Sequence, residues 1–292
     1  MEMASTGRQR RLEVADGVEL AAFLWGPQGG EGGRGAPFVL MHGIASNART
    51  WDPVARVLAE AGRTVAALDF RGHGRSASPA GGYDVATFTA DLQAAVGALG
   101  FRRPILAGHS LGACVALESA TRTPELCRGV ALLEGALVDA SVQFDSLEEC
   151  LARQTLPPVD GMPRPRVEGY LRATNPGWSE ERLAGTMASF RDRPDATIEW
   201  CLARPGFESL LRSLWAQHAA ELWPWVTVPC LVVAADTGDE RWTGQKRAAA
   251  AAAEQAMPGA RLAWLAGDHD IHADRPSEVA SLLLDEAPKM GD

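Results

Sequence analysis

The stretch Leu106-Ala107-Gly108-His109-Ser110-Leu111-Gly112-Ala113 decides how the rest of this chain reads. An apolar run from Pro104 to Ala107 drives into it, and Ala113 to Thr121 beyond it is rich in good helix formers, so the pattern is strand, sharp turn, helix. In that setting a G-x-S-x-G sequence makes a nucleophile elbow. Gly108 and Gly112 let strand and helix approach closely around a residue in strained backbone, which leaves the Ser110 hydroxyl standing clear above a sheet.

Outward from this point the chain alternates short apolar runs with helical periods. Before it come a hairpin (Arg11 to Ala15 and Val18 to Trp25 around Asp16-Gly17), a glycine-rich loop over Gly26 to Ala36, and strands at Phe38–Met41 and Val65–Leu68. Helices are predicted from about Thr50 to Ala61 and from Tyr83 to Leu99. After it come a strand at Gly129–Leu133 closed by Glu134, a strand over Val228–Ala235, an alanine-rich helix over Thr243–Ala256, a last strand at Arg261–Leu265 and a closing helix over Pro276–Asp285. This rhythm predicts an α/β fold with a mostly parallel sheet and right-handed crossovers. Between about Asp139 and Val226 the rhythm breaks into proline-rich and helical sequence, with Glu199 to Ala203 and Phe207 to Glu221 reading as helix and no buried-strand run. The expected organisation is a core of residues 1–138 and 227–292 and an inserted helical cap of residues 139–226.

Composition narrows the function. At 292 residues the chain can bury a full core, and its formal charge of −9 argues against nucleic acid, whose phosphates call for clustered Lys and Arg. No apolar run approaches a membrane span, and the polar, basic Met1 to Arg11 has no apolar segment of a leader after it, so no membrane association and a cytoplasmic location are expected. The five cysteines are scattered without metal-ligand spacing and read as reduced core residues. No metal and no nucleotide or redox cofactor is implied.

A strand ending in His42-Gly43, then Asp69-Phe70-Arg71-Gly72-His73-Gly74-Arg75-Ser76, then Gly108-His109-Ser110-Leu111-Gly112 and a late Gly267-Asp268-His269 occur in this order. In these motifs the chain resembles the α/β-hydrolase superfamily, in particular serine esterases and lactonases with a helical cap. The resemblance implies a mostly parallel eight-stranded sheet flanked by helices, with the cap inserted after the sixth strand. The Arg71 to Gly74 turn reads as structural, and His42 as a residue shaping its loop.

A serine hydroxyl is a weak nucleophile and needs a base within hydrogen-bond reach. His269 is the candidate, because it follows a strand, sits in a Gly-Asp-His turn and precedes Arg275-Pro276 and the last helix, the setting in which the family places its catalytic histidine. His272, three residues on, is its rival. A carboxylate must in turn orient the imidazole. The family's usual position for it, counted from Pro229, falls on Gly238, with Asp236 and Asp239 to either side. Glu134 is the other solution and the preferred one, since a carboxylate ending an apolar strand is costly without a partner, and one subgroup of haloalkane dehalogenases resembles this chain there. Asp236 stays as the alternative acid. Oxyanion donors are expected in the backbone N–H of Leu111, just past the nucleophile, and of Ile44, which resembles the family's second donor.

These residues point to a serine hydrolase acting on a small, apolar carboxylic ester or lactone, without a cofactor. The serine excludes the mechanisms of relatives with an aspartate nucleophile. Thioester or carbon–carbon cleavage would use the same groups, and a non-catalytic small-molecule receptor on the same scaffold is the reading from another class. The cap tryptophans, Trp178, Trp200, Trp215, Trp223 and Trp225, fit either core packing or an apolar pocket.

Overall fold

A computed structural model describes residues 7–27, 33–257 and 259–291. The opening hairpin is β1 (Arg8–Ala15) and β2 (Val18–Trp25), turning at Gly17 with φ 71°. β1 starts three residues ahead of its sequence prediction, because an edge strand with exposed arginines carries no apolar signal. Of the loop expected over Gly26 to Ala36, residues 28–32 lie outside the described residues, as do residues 1–6 of the N-terminal stretch. β3 (Phe38–Met41), β4 (Val65–Leu68), β5 (Ile105–His109) and β6 (Gly129–Leu133) are buried at every position. Successive residues point to opposite faces, so Val39, Leu106 and Val130 join one core layer while Leu40, Ala107 and Ala131 join the other.

Beyond β6 the chain leaves the sheet and returns as β10 (Cys230–Asp236) and β11 (Arg261–Ala266), with three short strands intervening. The eight-stranded sheet runs β1-β2-β4-β3-β5-β6-β10-β11, antiparallel at β1-β2 and β2-β4 and parallel elsewhere. This is the α/β-hydrolase fold. No described helix is long and apolar enough to cross a membrane. All five cysteines are free thiols, and burial pushes Cys114, Cys127 and Cys230 up to about 12.

The inserted piece is not purely helical. It carries β7 (Met162–Pro163), β8 (Phe190–Asp192) and β9 (Thr197–Trp200), paired antiparallel in the order β7-β9-β8. The helix expected over Glu199 to Ala203 is therefore corrected to a strand end. A local turn overrides the helical reading: Asp195 accepts the Thr197 N–H at 3.1 Å, Arg193 N–H donates to Thr197 O at 2.8 Å, and Ala196 sits at φ 63°. The hairpin buries Ile198 against Val167, Leu183, Met187 and Phe190. The helix expected over Phe207 to Glu221 forms as Arg204–Ala216 and Ala219–Leu222, separated by extended backbone at Gln217 and His218.

A Cβ at Gly108 would stand 2.1 Å from the backbone of Gly112, and one at Gly112 2.4 Å from Met41 O. Gly97, inside the helix Val85–Leu99, faces open space. Gly108→Ala should therefore lower stability by about 3 kcal/mol, whereas Gly97→Ala should raise it by about 0.5–1 kcal/mol. Urea midpoints for the two variants measure both.

Candidate active site

Ser110 links β5 to the helix Leu111–Arg122 with φ 53° and ψ −114°, a conformation that costs an L-residue of order 1–3 kcal/mol and is sustained only by its surroundings. Those surroundings are tight. Ser110 N–H donates to Leu133 O at 2.9 Å, and Gly135 packs so closely that a Cβ there would lie 2.3 Å from Ser110 O. As first residue of its helix, Leu111 presents an N–H with no partner inside the helix. On the other side the His42-Gly43 turn abuts the elbow, with the Gly43 Cβ position 3.1 Å from Ser110 Cβ, which brings Ile44 to the same spot.

That turn is held by two buried imidazoles. His42 Nδ1–H donates to Gly43 O and its Nε2 accepts from Phe70 N–H at 3.0 Å, while His73 Nδ1–H donates to Arg71 O and its Nε2 accepts from Ala45 N–H at 3.3 Å. Burial holds His42 well below the usual histidine value and His73 down at about 4, so both stay neutral and keep an acceptor nitrogen. Arg71 makes a buried two-pronged pair with Asp91 at 2.6 and 2.7 Å, and Asp69, pushed up to about 6 by burial, accepts Ala48 and Arg75 N–H groups. These contacts tie the Asp69 to Ser76 motif into the surrounding fold.

His269 lies on the loop after β11, with Nδ1 3.4 Å from Glu134 Oε2. The imidazole is exposed and the carboxylate is buried, their side chains 57% and 3% accessible. His109 Nε2–H donates to His269 O at 2.8 Å, tying the residue before the elbow to the histidine loop. Burial, then the neighbouring His269, drives His109 down to about 4. Glu134 ends β6 at φ 49° and is met on all sides: Ala235 N–H donates to Oε1 at 2.6 Å, and Lys246 Nζ donates to Oε1 at 2.9 Å and Oε2 at 2.8 Å. Burial pushes this carboxyl up, but the hydrogen bonds from His269, Ala235 and Lys246, with the lysine charge, outweigh it and hold Glu134 below the usual range.

The other candidates lie elsewhere. Asp236 Oδ1 accepts from Gly238 N–H and Thr243 Oγ1, with Arg247 beside it at 3.4 Å, so its carboxylate is engaged on the far side of its own loop. Gly238 is a left-handed turn residue at φ 76°, and Asp239 caps the helix Glu240–Ala256. His272 is buried, with Nε2 3.1 Å from Thr50 Oγ1 and its ring 4.5 Å from that of Trp51. With His109 and Asp270 it forms the grouping closest to a metal-ligand set among the described residues; each imidazole holds a hydrogen bond through Nε2, and each Nδ1 is buried without a hydrogen-bond partner.

Ser110, His269, Glu134, Ile44 and Leu111 line one cavity of about 490 Å³, whose outer wall includes Leu137, Val138, Phe144, Leu211 and Leu214. The tryptophan on this wall is Trp242 of the core. Of those in the cap, Trp223 is buried with Nε1–H on Ala136 O, Trp200 Nε1–H donates to Pro157 O, and Trp225 is exposed. A second cleft of about 620 Å³ between cap and core, lined by Arg49, Asp69, Arg75, Arg164 and Arg191 among others, contains none of the candidate residues. Lys246 was not anticipated. Its signal was rarity, since it is one of two lysines in a chain whose other basic residues are mostly arginines, and it lies in the alanine-rich helix.

Residues 38–282 match the model of the alpha/beta hydrolase family. A non-heme chloroperoxidase of Streptomyces lividans is 32% identical over 152 residues, which is 52% of this chain and 49% of that protein. The chain spans between 29% and 49% of the length of the curated relatives it matches. Among solved structures, an E-2-(acetamidomethylene)succinate hydrolase superposes with a TM-score of 0.77 at 22% identity, covering 96% of this chain and 98% of that one. An enol-lactonase from Burkholderia xenovorans LB400 superposes with a TM-score of 0.68 at 22% identity, covering 94% and 98%. At that identity the likeness is one of fold.

A carboxyl held below its unfolded value contributes stability that is fully present above the unfolded pKa, about 4.3 for glutamate, and is lost as pH falls through the folded one. The difference in denaturation midpoint between wild type and Glu134→Gln should accordingly be constant above about pH 5 and shrink on acidification below 4.3. Urea titrations across that window measure it.

Proposed function

The chain belongs to the alpha/beta hydrolase family, and we propose that it is a cofactor-independent serine hydrolase cleaving a carboxylic ester or lactone with apolar groups. One observation carries this reading: Ser110, strained at the elbow, opens on the same cavity as His269, whose Nδ1 faces a buried carboxylate. In the first step His269 Nε2 takes the proton as Ser110 Oγ attacks the carbonyl carbon. Glu134, against Nδ1–H, keeps the proton-accepting tautomer in place and stabilises the imidazolium that forms. The Ile44 and Leu111 N–H groups receive the oxyanion, each lowering the barrier by roughly 3 kcal/mol.

The tetrahedral species collapses as His269 returns the proton to the departing alkoxide, which leaves as the alcohol or, in a lactone, as the tethered hydroxyl. Water, deprotonated by His269, then attacks the acyl-serine and frees the acid. Apolar substituents suit the leucine, valine and phenylalanine wall, which excludes water around the reacting carbonyl.

A fluorophosphonate probe should label the wild type and not Ser110→Ala, and p-nitrophenyl butyrate hydrolysis should disappear with the label. Unlabelled wild type would instead favour the receptor. Glu134→Gln should lose on the order of 10⁴ in kcat, while Asp236→Asn stays within about threefold of wild type. The reverse pattern would make Asp236 the acid.

A further inference from the structure

Lys246 lies in the helix Glu240–Ala256 with its side chain 4% exposed. Its ammonium makes three hydrogen bonds, to Glu134 Oε1 at 2.9 Å, Glu134 Oε2 at 2.8 Å and Ala235 O at 2.9 Å. An ammonium has three N–H groups, so none remains for solvent or for a bound molecule. The two glutamate contacts define the plane of the carboxylate: Oε1 is taken by Lys246 and the Ala235 N–H, and Oε2 is shared between Lys246 and His269. Removing the lysine would leave Glu134 with one neutral donor and a 3.4 Å contact to the imidazole.

We propose that Lys246 is a positioning residue for the reaction, holding Glu134 ionised and turned toward His269 and setting how readily the Glu134–His269 pair takes up a proton. This rests on the reading of Glu134 as the acid of the triad. A buried carboxylate with no counter-charge draws a proton to itself or to an adjacent imidazole, whichever of the two carries it. An ammonium on the same oxygen opposes that uptake by charge repulsion. On charge alone, removing the ammonium would favour the imidazolium; the loss of the carboxylate's fixed orientation toward Nδ1 outweighs this in plateau kcat. The other charged or titratable groups facing His269 are His109 from β5, the buried His272, and Asp268 and Asp270 on its own loop, with Arg182 of the inserted piece near Asp270.

The test compares pH profiles of kcat and kcat/KM for p-nitrophenyl butyrate in wild type, Lys246→Met, Lys246→Gln and Lys246→Arg, with folding checked by circular dichroism. Methionine keeps the unbranched stem, and glutamine serves if the methionine variant does not fold. The neutral variants should shift the acid limb of the profile upward by about one pH unit and lower plateau kcat about tenfold or more, with KM within threefold because Lys246 has no donor left for substrate. Lys246→Arg, which keeps the charge, should return the limb to within about 0.3 unit of wild type. An acid limb at the wild-type pH in the folded neutral variants overturns the proposal, since a purely structural ion pair would change stability and leave the limb in place. Glu134→Gln separates the two readings. If it loses on the order of 10⁴ in kcat while the limb in Lys246→Met is unmoved, only the lysine proposal fails; if it keeps full activity, the acid assignment fails and takes this proposal with it.

Discussion

An ionised carboxylate buried at the end of a central strand has to be met by donors, and the way Glu134 is met organises this end of the molecule. Taking such a group out of water costs several kcal/mol unless its lone pairs are filled. The donors come from three segments more than 100 residues away in sequence: the Ala235 N–H at the end of β10, Lys246 on the following helix, and His269 after β11. They converge because β6, β10 and β11 are parallel neighbours, so their carboxyl ends open on the same edge of the sheet.

The elbow obeys a second, steric constraint that meets the first at Ser110. Gly108 and Gly112 leave no room for a side chain because strand β5 and the following helix close on each other and on Met41, and Gly135 because the loop after Glu134 closes on the Ser110 backbone. The Ser110 N–H bonded to Leu133 O joins the strained residue to the strand that ends in Glu134. His109 adds a third tie, to the backbone of His269. Ser110, Glu134 and His269 are thereby tied together through hydrogen bonds to main-chain carbonyls as well as through the contact between Glu134 and His269, which limits how far any one of them can drift.

Around this frame the inserted piece supplies shape. Its own small core around Ile198 makes it a packed layer, joined to the helices and loops that flank the sheet by Asn47 on Gly185 and Ser189, by Arg56 on Glu181 and by Arg182 on Asp274. The pocket wall includes apolar residues of this piece, Phe144, Leu211 and Leu214, and none of its tryptophans. An arginine-lined cleft on the other side of the insertion keeps most of its cations paired, Arg164 with Asp192 and Arg191 with Glu199.

Much of this was legible in the residues alone, for local reasons. Four- and five-residue apolar runs between helical periods are too short for helices and read as strands covered on both faces, and a serine between two glycines at a strand-to-helix junction announces its own backbone strain. The parallel sheet, the break in rhythm where the insertion lies and the candidate Ser110 follow from such local signals, whereas His269 was singled out by the resemblance of its Gly-Asp-His turn to the family's pattern. The β-hairpin in the insertion was hidden because its turn chemistry at Asp195 to Thr197 competes with helical composition, and the start of β1 because an exposed edge has no hydrophobic pattern. Sequence alone preferred Glu134, the carboxylate closing an apolar strand, and kept Asp236, beside the family's usual position, as the alternative. Tertiary structure separates their surroundings: strand order brings Lys246 and the histidine loop to Glu134, whereas the turn at Gly238 directs Asp236 to Thr243 and Arg247. Which carboxylate meets the imidazole is a matter of long-range pairing, and no local pattern encodes it.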